Sequence, residues 1–329
     1  MIKIAIIGSG SWATALAKLT LNSTNHINWY IRKQEDCDYF KEYKNNPRYL
    51  RSIEFNTDSI TFFNSITDCI SNSNLIILAI PSAFLNDSFK EITNDDLKNK
   101  TIFSAIKGII PEHNLIVGEY LNKIYQVPLE NIGVITGPCH AEEVALEKLS
   151  YLTIASIDTI KAKVLSDILN CRYLKSSVSD DIYGTEYSAV IKNIIALAGG
   201  ICHGLGYGDN FLAVLVSNAI QEIKRFVDAV HPINRDINAS AYLGDLIVTS
   251  YSQFSRNRMF GNMLGKGYSI KQAQLEMNMI AEGYFAVKCV YEINKKLKVH
   301  LPITNAVYNI IYQNKDVRKE IINLSNLLS

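Results

Sequence analysis

Neither sign of charge dominates this chain. Its 33 Lys and Arg stand against 32 Asp and Glu, so no global field points to nucleic acid or an anionic membrane surface, and any anionic ligand must be held locally. Cysteine is sparse and unpatterned. Cys37, Cys69, Cys139, Cys171, Cys202 and Cys289 include no C-x-x-C pair, which argues against a disulfide framework or a zinc site and for reduced thiols in a cytoplasmic compartment. No His/Cys/Asp cluster has the spacing of a ligand set, so no metal is expected. Long apolar runs are missing as well. The longest, around residues 189–202, is interrupted by Lys192 and Asn193, so no transmembrane helix is indicated. A cleavable signal peptide is not expected, because residues 2–7 read as the first strand of the fold. Internal repeats and low-complexity tracts are absent.

What is present is enough for two domains of ordinary size: 329 residues, 48% of them hydrophobic. The first apolar strand, Ile2 to Ile7, runs straight into Gly8-Ser9-Gly10-Ser11-Trp12-Ala13 and then an Ala/Leu-rich helix. Such a turn binds a dinucleotide: Gly8 permits the sharp turn, Gly10 clears the approach of a pyrophosphate, and small Ala13 lets helix pack on strand. The phosphates would sit on free N–H groups at the helix N-terminus. A second strand, residues 26–31, ends at Arg32-Lys33. A basic residue there tolerates or attracts the 2′-phosphate of NADP, whereas an acidic one grips the ribose of NAD. NADPH is therefore favoured and NADH remains open, since a pair of exposed charges ending a strand would look the same. Further strands at 75–80, 101–106 and 132–136 end in the loops Pro81-Ser82, Lys107-Gly108 and Gly137-Pro138-Cys139-His140. Near-continuous apolar strands alternating with helices predict a doubly wound, mainly parallel α/β sheet with ligands at the carboxyl ends of its strands. Strand signals fade near Asp180 and helical spacing takes over through 186–230 and 284–328. The expected division is 1–180, a dinucleotide-binding domain, and 181–329, an all-helical domain for substrate and dimerisation.

Three stretches of the helical half are chemically richer than a structural helix requires. Lys192 lies in an apolar helical surround, where desolvation lowers a lysine's pKa and fits it to pass a proton near neutral pH; a lysine snorkelling to solvent is the alternative. Asp245, in Leu243-Gly244-Asp245-Leu246, could orient that ammonium or merely cap a helix. Ser255-Arg256-Asn257 joins a capping hydroxyl, a forked guanidinium and an amide, a combination suited to a phosphate.

Taken in order, GSGSWATALA, AIKGI, GPCHAEEVA, the Lys-Asn helix with GLGYGDN, LGDLIVT, SRNRMFG, AEGY and LPITNAVY resemble the bacterial NAD(P)-dependent glycerol-3-phosphate dehydrogenase family over almost the whole chain. The resemblance implies a Rossmann domain and a helical domain similar to that of 6-phosphogluconate dehydrogenase, with the active site between them. It implies an oxidoreductase that reduces dihydroxyacetone phosphate reversibly to sn-glycerol 3-phosphate for glycerophospholipid synthesis, with a homodimer as the default assembly. By the same resemblance Lys192 is the proton donor and acceptor, and Lys107 contacts cofactor and substrate. Asp245, Ser255, Arg256 and Asn257 line the substrate site together with Gly137 and Cys139. Gly8, Gly10, Ser11, Trp12, Arg32, Lys33, Lys107, Ala141, Arg256, Ile280 and Glu282 contact the dinucleotide. Departures from the family pattern are Cys139 for Ser/Thr, His140 for Phe, Ala13 for the third glycine, and Tyr242 for a glycine. Two rival readings are a reductase of another small ketone and a non-catalytic dinucleotide sensor; the pair Lys107 and Lys192 argues against the sensor.

Overall fold

The computed structural model describes residues 2–277 and 281–329, and the chain divides into two compact units. One comprises Met1–Ile106 and Val117–Ile182, the other Lys107–Ile116 and Tyr183–Ser329. The ten-residue stretch from Lys107 thus leaves the strand-bearing half of the sequence and groups with the helical half.

The first unit is built on an eight-stranded sheet. Its strands are β1 (Ile4–Ile7), β2 (Ile27–Tyr30), β3 (Ile60–Phe63), β4 (Leu75–Leu78), β5 (Thr101–Ser104), β8 (Ile132–Thr136), β9 (Ser150–Ser156) and β10 (Leu174–Ser179); β6 (Ile109–Ile110) and β7 (Leu115–Ile116) form a separate antiparallel hairpin in the other unit. The spatial order β10-β9-β8-β5-β4-β1-β2-β3 contains the 3-2-1-4-5-6 arrangement of the Rossmann fold, with the strand order reversing at β1 and β4. Pairing is parallel throughout except between β8 and β9. Strands β1, β4 and β8 are buried at every position, as a sheet covered on both faces requires. Trp29 anchors the core beneath β2, edge-on to Phe40 and Phe55 at ring separations of 5.1 and 5.5 Å.

Helices make up the second unit. Ile182–Gly204 and Asp209–Val230 are long and carry apolar residues at three- and four-residue spacing, so their inward stripes are continuous. Glu282–Leu297, Pro302–Tyr312 and Val317–Ser325 complete the core, to which the hairpin adds Ile109 and Ile116. Buried Glu222 accepts from the amides of Ile303 and Thr304, both at 2.9 Å, and so caps Pro302–Tyr312, whose first residue is a proline.

Candidate active site

In the first unit, the turn after β1 is held so that its carbonyls point inward. Gly8 O accepts from Trp29 Nε1 at 2.7 Å, Ser9 O from Asn46 Nδ2 at 3.0 Å, and Gly10 O from the amide and hydroxyl of Thr14, each at 3.0 Å. Asn46 Nδ2 also donates to Thr14 Oγ1 at 2.8 Å, tying the turn to the helix Ser11–Leu21. The backbone amides therefore face the other way. Those of Ser11 and Trp12, in the first helical turn, have no acceptor among the described residues, and the Gly10 cap contributes no side chain. Gly8 sits at φ +128°, and a Cβ there would lie 2.5 Å from Ala79 O beyond the end of β4, so only glycine fits at this crossing. A Cβ on Gly10 would meet nothing, and Trp12 Nε1 is buried with no partner. Open amides, open space and an orphaned indole donor fit a dinucleotide pyrophosphate.

The two basic residues beyond β2 are not equivalent. Lys33 Nζ pairs with Glu35 at 2.9 Å, whereas Arg32 is exposed with no ionic partner among the described residues. Arg48 neutralises Asp36, through Nε at 3.0 Å and Nη2 at 3.0 Å, and reaches Glu35 at 3.3 Å. The cationic field of Arg32 is thus left uncancelled. In the loop after β8, Gly137 adopts φ +122°, and Cys139 Sγ donates to Tyr151 O at 3.0 Å, so the thiol is turned onto the backbone. His140 precedes the short helix Ala141–Ala145, with Ala141 buried.

The second unit gathers the charged residues. Helix Ile182–Gly204 carries Lys192, 4% exposed, and Asp245, 1% exposed, begins the helix Asp245–Tyr251 directly after a π-helical turn, Ser240–Gly244. That wide turn, in which Tyr242 is buried, sets the start of the next helix. The backbone N–H of Asp245 closes the π-helical turn by donating to Ser240 O and Tyr242 O, while its carboxylate serves the lysines. Its Oδ1 accepts from Lys192 Nζ at 2.5 Å and its Oδ2 from Lys107 Nζ at 3.0 Å. Thr249, one turn further on, accepts from Lys192 Nζ at 2.9 Å and donates to Asp245 O at 2.7 Å. Asn193 Nδ2 donates to Lys107 O at 2.7 Å, which fixes the backbone from which the second lysine reaches in.

Two ammoniums thus share the one carboxylate of Asp245 in a buried place. Burial pulls the Lys192 ammonium down to about 7, against the attraction of Asp245 and with the repulsion of Lys107. Burial alone would raise the Asp245 carboxyl, but the Lys107 and Lys192 charges outweigh it and hold the group below the usual carboxylate range. An ammonium has three N–H donors; among the described residues Asp245 and Thr249 take two, and the third suits an incoming oxygen.

Helix Arg256–Gly265 supplies the rest. Ser255 caps it, its hydroxyl accepting from Arg258 N at 3.3 Å, and buried Asn257 accepts at Oδ1 from Gly283 N at 2.8 Å, beside Glu282 at the start of its helix. Of the residues expected from sequence, Ile280 lies outside the described residues. Trp29, Asn46 and Thr249 were not expected. Thr249 carried a signal, because it stands four residues after Asp245 and so shares its helix face; Asn46 carried none, lying 32 residues from its partner Thr14.

The family described as NAD-dependent glycerol-3-phosphate dehydrogenase N-terminus matches residues 3–162, and its C-terminus counterpart matches 181–322. Among similar proteins are the glycerol-3-phosphate dehydrogenase [NAD(P)+] of Exiguobacterium sp., 33% identical over 98% of this chain and 94% of the relative, and that of Clostridium botulinum, 34% identical over 96% and 94%. The crystal structure of glycerol-3-phosphate dehydrogenase from Coxiella burnetii superposes with a TM-score of 0.90 at 27% identity, covering 98% of both chains.

Proposed function

Because the chain belongs to the NAD-dependent glycerol-3-phosphate dehydrogenase family, it reduces dihydroxyacetone phosphate reversibly to glycerol 3-phosphate with NADH or NADPH, and we propose that Lys192 gives the C2 oxygen its proton. The observation that carries this assignment is the buried Lys192–Asp245–Lys107 cluster, with one N–H of Lys192 unspent among the described residues. The turn at Gly8, Gly10, Ser11 and Trp12, with Arg32, holds the dinucleotide, whose reduced nicotinamide supplies the hydride when bound. Lys192 holds the proton at Nζ while Asp245 and Thr249 fix where that nitrogen points. On giving up the proton Lys192 becomes neutral, and the ion pair of Lys107 and Asp245 stays in place. Burial disfavours the excess charge and so assists release, and Lys107 stabilises the oxygen while its charge develops.

Arg256 and Asn257 engage the substrate phosphate, Arg256 through its forked guanidinium. Binding at that remote group orients the carbonyl and converts binding energy into rate. Ser255 is committed to its helix cap and acts by placing Arg256. In the same reading Gly137 and Cys139 contact the substrate, and Ala141 and Glu282 the dinucleotide.

NADPH is the preferred reductant in this reading, because Arg32 has no ionic partner among the described residues whereas Lys33 pairs with Glu35. The enzyme works as a cytoplasmic homodimer and supplies glycerophospholipid synthesis. Six free cysteines support a reducing compartment, and burial pushes the Cys69, Cys202 and Cys289 thiols up to about 12, where they are inert. No described helix is long and apolar enough to cross a membrane. Steady-state reduction of dihydroxyacetone phosphate with each cofactor tests the reading: a higher kcat/KM with NADPH is expected, and equal or reversed values would remove Arg32 as its determinant.

A further inference from the structure

The first turn of the helix that follows Arg32 carries two carboxylates. This helix, Gln34–Tyr43, begins after Lys33 and opens with Gln34, Glu35 and Asp36, and in dinucleotide-binding folds an acid beyond the second strand grips the ribose of NAD, where a 2′-phosphate would be repelled. The chain therefore holds acids suited to NAD within four residues of the arginine suited to NADP. One of the two must be silenced.

Arg48 does so from another part of the chain. Its Nε lies 3.2 and 3.0 Å from the two oxygens of Asp36 and its Nη2 lies 3.0 Å from Oδ1, so one edge of the guanidinium is spent on that carboxylate in charge-assisted bonds. The same Nη2 reaches Glu35 Oε1 at 3.3 Å, the oxygen that Lys33 Nζ holds at 2.9 Å. Both carboxylates are thereby occupied. Arg48 is in turn registered against the phosphate-binding turn by buried Asn46, whose Oδ1 accepts from the amides of Arg48 and Tyr49 at 2.9 and 3.1 Å while its Nδ2 serves Ser9 O and Thr14 Oγ1.

We propose that Arg48 is a second determinant of cofactor choice, a positioning residue that keeps Asp36 and Glu35 from the adenosine ribose and so leaves the 2′-phosphate to Arg32. Charge decides the outcome. Among these five side chains Arg32, Lys33 and Arg48 outnumber Glu35 and Asp36 by one, and without Arg48 the remaining four cancel. The inference rests on the reading of Arg32 as the contact to the 2′-phosphate, and makes that contact depend on a residue far from it in sequence.

Isothermal titration of the full-length protein with adenosine 2′,5′-bisphosphate and with adenosine 5′-monophosphate isolates this corner, because the two probes differ only by the 2′-phosphate. The ratio of their Kd values is read for wild type, Arg48→Met, Asp36→Asn and the double variant. Arg48→Met should lower the preference for the bisphosphate about fivefold, the effect of one charge on a dianion roughly 8 Å away in water. Asp36→Asn should raise it by a similar factor, and the double variant should return to within about twofold of wild type, since one charge of each sign is then gone. Damage to the fold would move both single variants the same way, so opposite signs mark charge and not packing; Asp36→Asn decides the matter if Arg48→Met melts early. A ratio unmoved in Asp36→Asn, shifts of one sign in both single variants, or a double variant as low as Arg48→Met would each overturn the proposal. Variants ordered as expected around a wild type that does not distinguish the two probes would overturn the Arg32 reading and leave this one standing, and binding of neither probe at millimolar concentration would overturn both.

Discussion

Lys192 shows how one buried charge can be both legible and incompletely read. An apolar helix with a lysine inside it announces a perturbed pKa, and Asp245 was a reasonable partner from its loop. What the residues could not disclose in advance was Thr249 accepting from the same ammonium, or Lys107 arriving from the hairpin segment to share the carboxylate. The proton donation proposed for Lys192 has a definite pH signature. With its folded value near 7, the ammonium required for reduction is present below that pH and lost above it. The kcat/KM for reduction should therefore be level in mild acid and fall about tenfold per unit above pH 7, while that for oxidation, which needs the neutral amine, should rise through the same window. Lys192→Ala should lower reduction by about 10²–10⁴ and erase both limbs, yet leave dinucleotide affinity, measured by fluorescence quenching, nearly intact. A variant that keeps the wild-type profile would show that another group carries the proton. The companion test at the other end of the chemistry is Arg32→Asp, which replaces an unpaired cation by a carboxylate and should shift the kcat/KM ratio from NADPH towards NADH. An unchanged ratio would make Arg32 a surface charge only.

At the scale of elements, two helices are fitted backbone to backbone by four glycines. A Cβ on Gly261 would lie 2.1 Å from Leu197 O, one on Gly265 2.3 Å from Ile201 O, one on Gly204 2.4 Å from Asn262 O, and one on Gly200 2.1 Å from Arg258 O. This contact sets the distance between the helix of Lys192 and the helix that begins with Arg256. Gly261→Ala should therefore cost about 1–3 kcal/mol in denaturant unfolding through overpacking, and should also raise KM for dihydroxyacetone phosphate by moving Arg256; lost stability with an unaltered KM would separate the helix contact from substrate binding. Sequence patterning reached the elements unevenly, and for a physical reason. The all-apolar strands β1 and β4 and the five-residue β8 stand out because both faces are covered. By contrast β10, Leu-Lys-Ser-Ser-Val-Ser, lies at the sheet edge with most residues partly or fully exposed, and β3 lies at the opposite edge with one buried position in four, so neither carries a continuous apolar run. Strand β9 is apolar enough to be read as a strand but follows a turn with no Gly or Pro to mark it. The hairpin at Ile109–Ile116 is two residues per strand, below what periodicity can register.

For the whole molecule, the consequential fact is that each unit has its own hydrophobic core, one centred on the sheet and Trp29, the other on the helices from Tyr187 to Leu324. Two cores of this size need not melt together, and a chain of this kind departs from two-state unfolding more readily than a single small domain. The sequence supplies separate reporters. Its two tryptophans, Trp12 and Trp29, both belong to the first unit, so tryptophan fluorescence follows that unit alone, whereas far-ultraviolet circular dichroism is weighted towards the long helices of the second. Gly8, Gly10, Ser11, Trp12 and Arg32, the residues proposed to hold the dinucleotide, also lie in the first unit. A ligand that binds only the folded state stabilises it by about 2.7 kcal/mol at a hundred times its Kd. NADPH at that excess should thus raise the fluorescence midpoint of thermal unfolding more than the dichroism midpoint, and Arg32→Asp should shrink the difference. If the two probes coincide both without NADPH and at every concentration of it, the units unfold as one cooperative body, and the independence of their cores stops at packing.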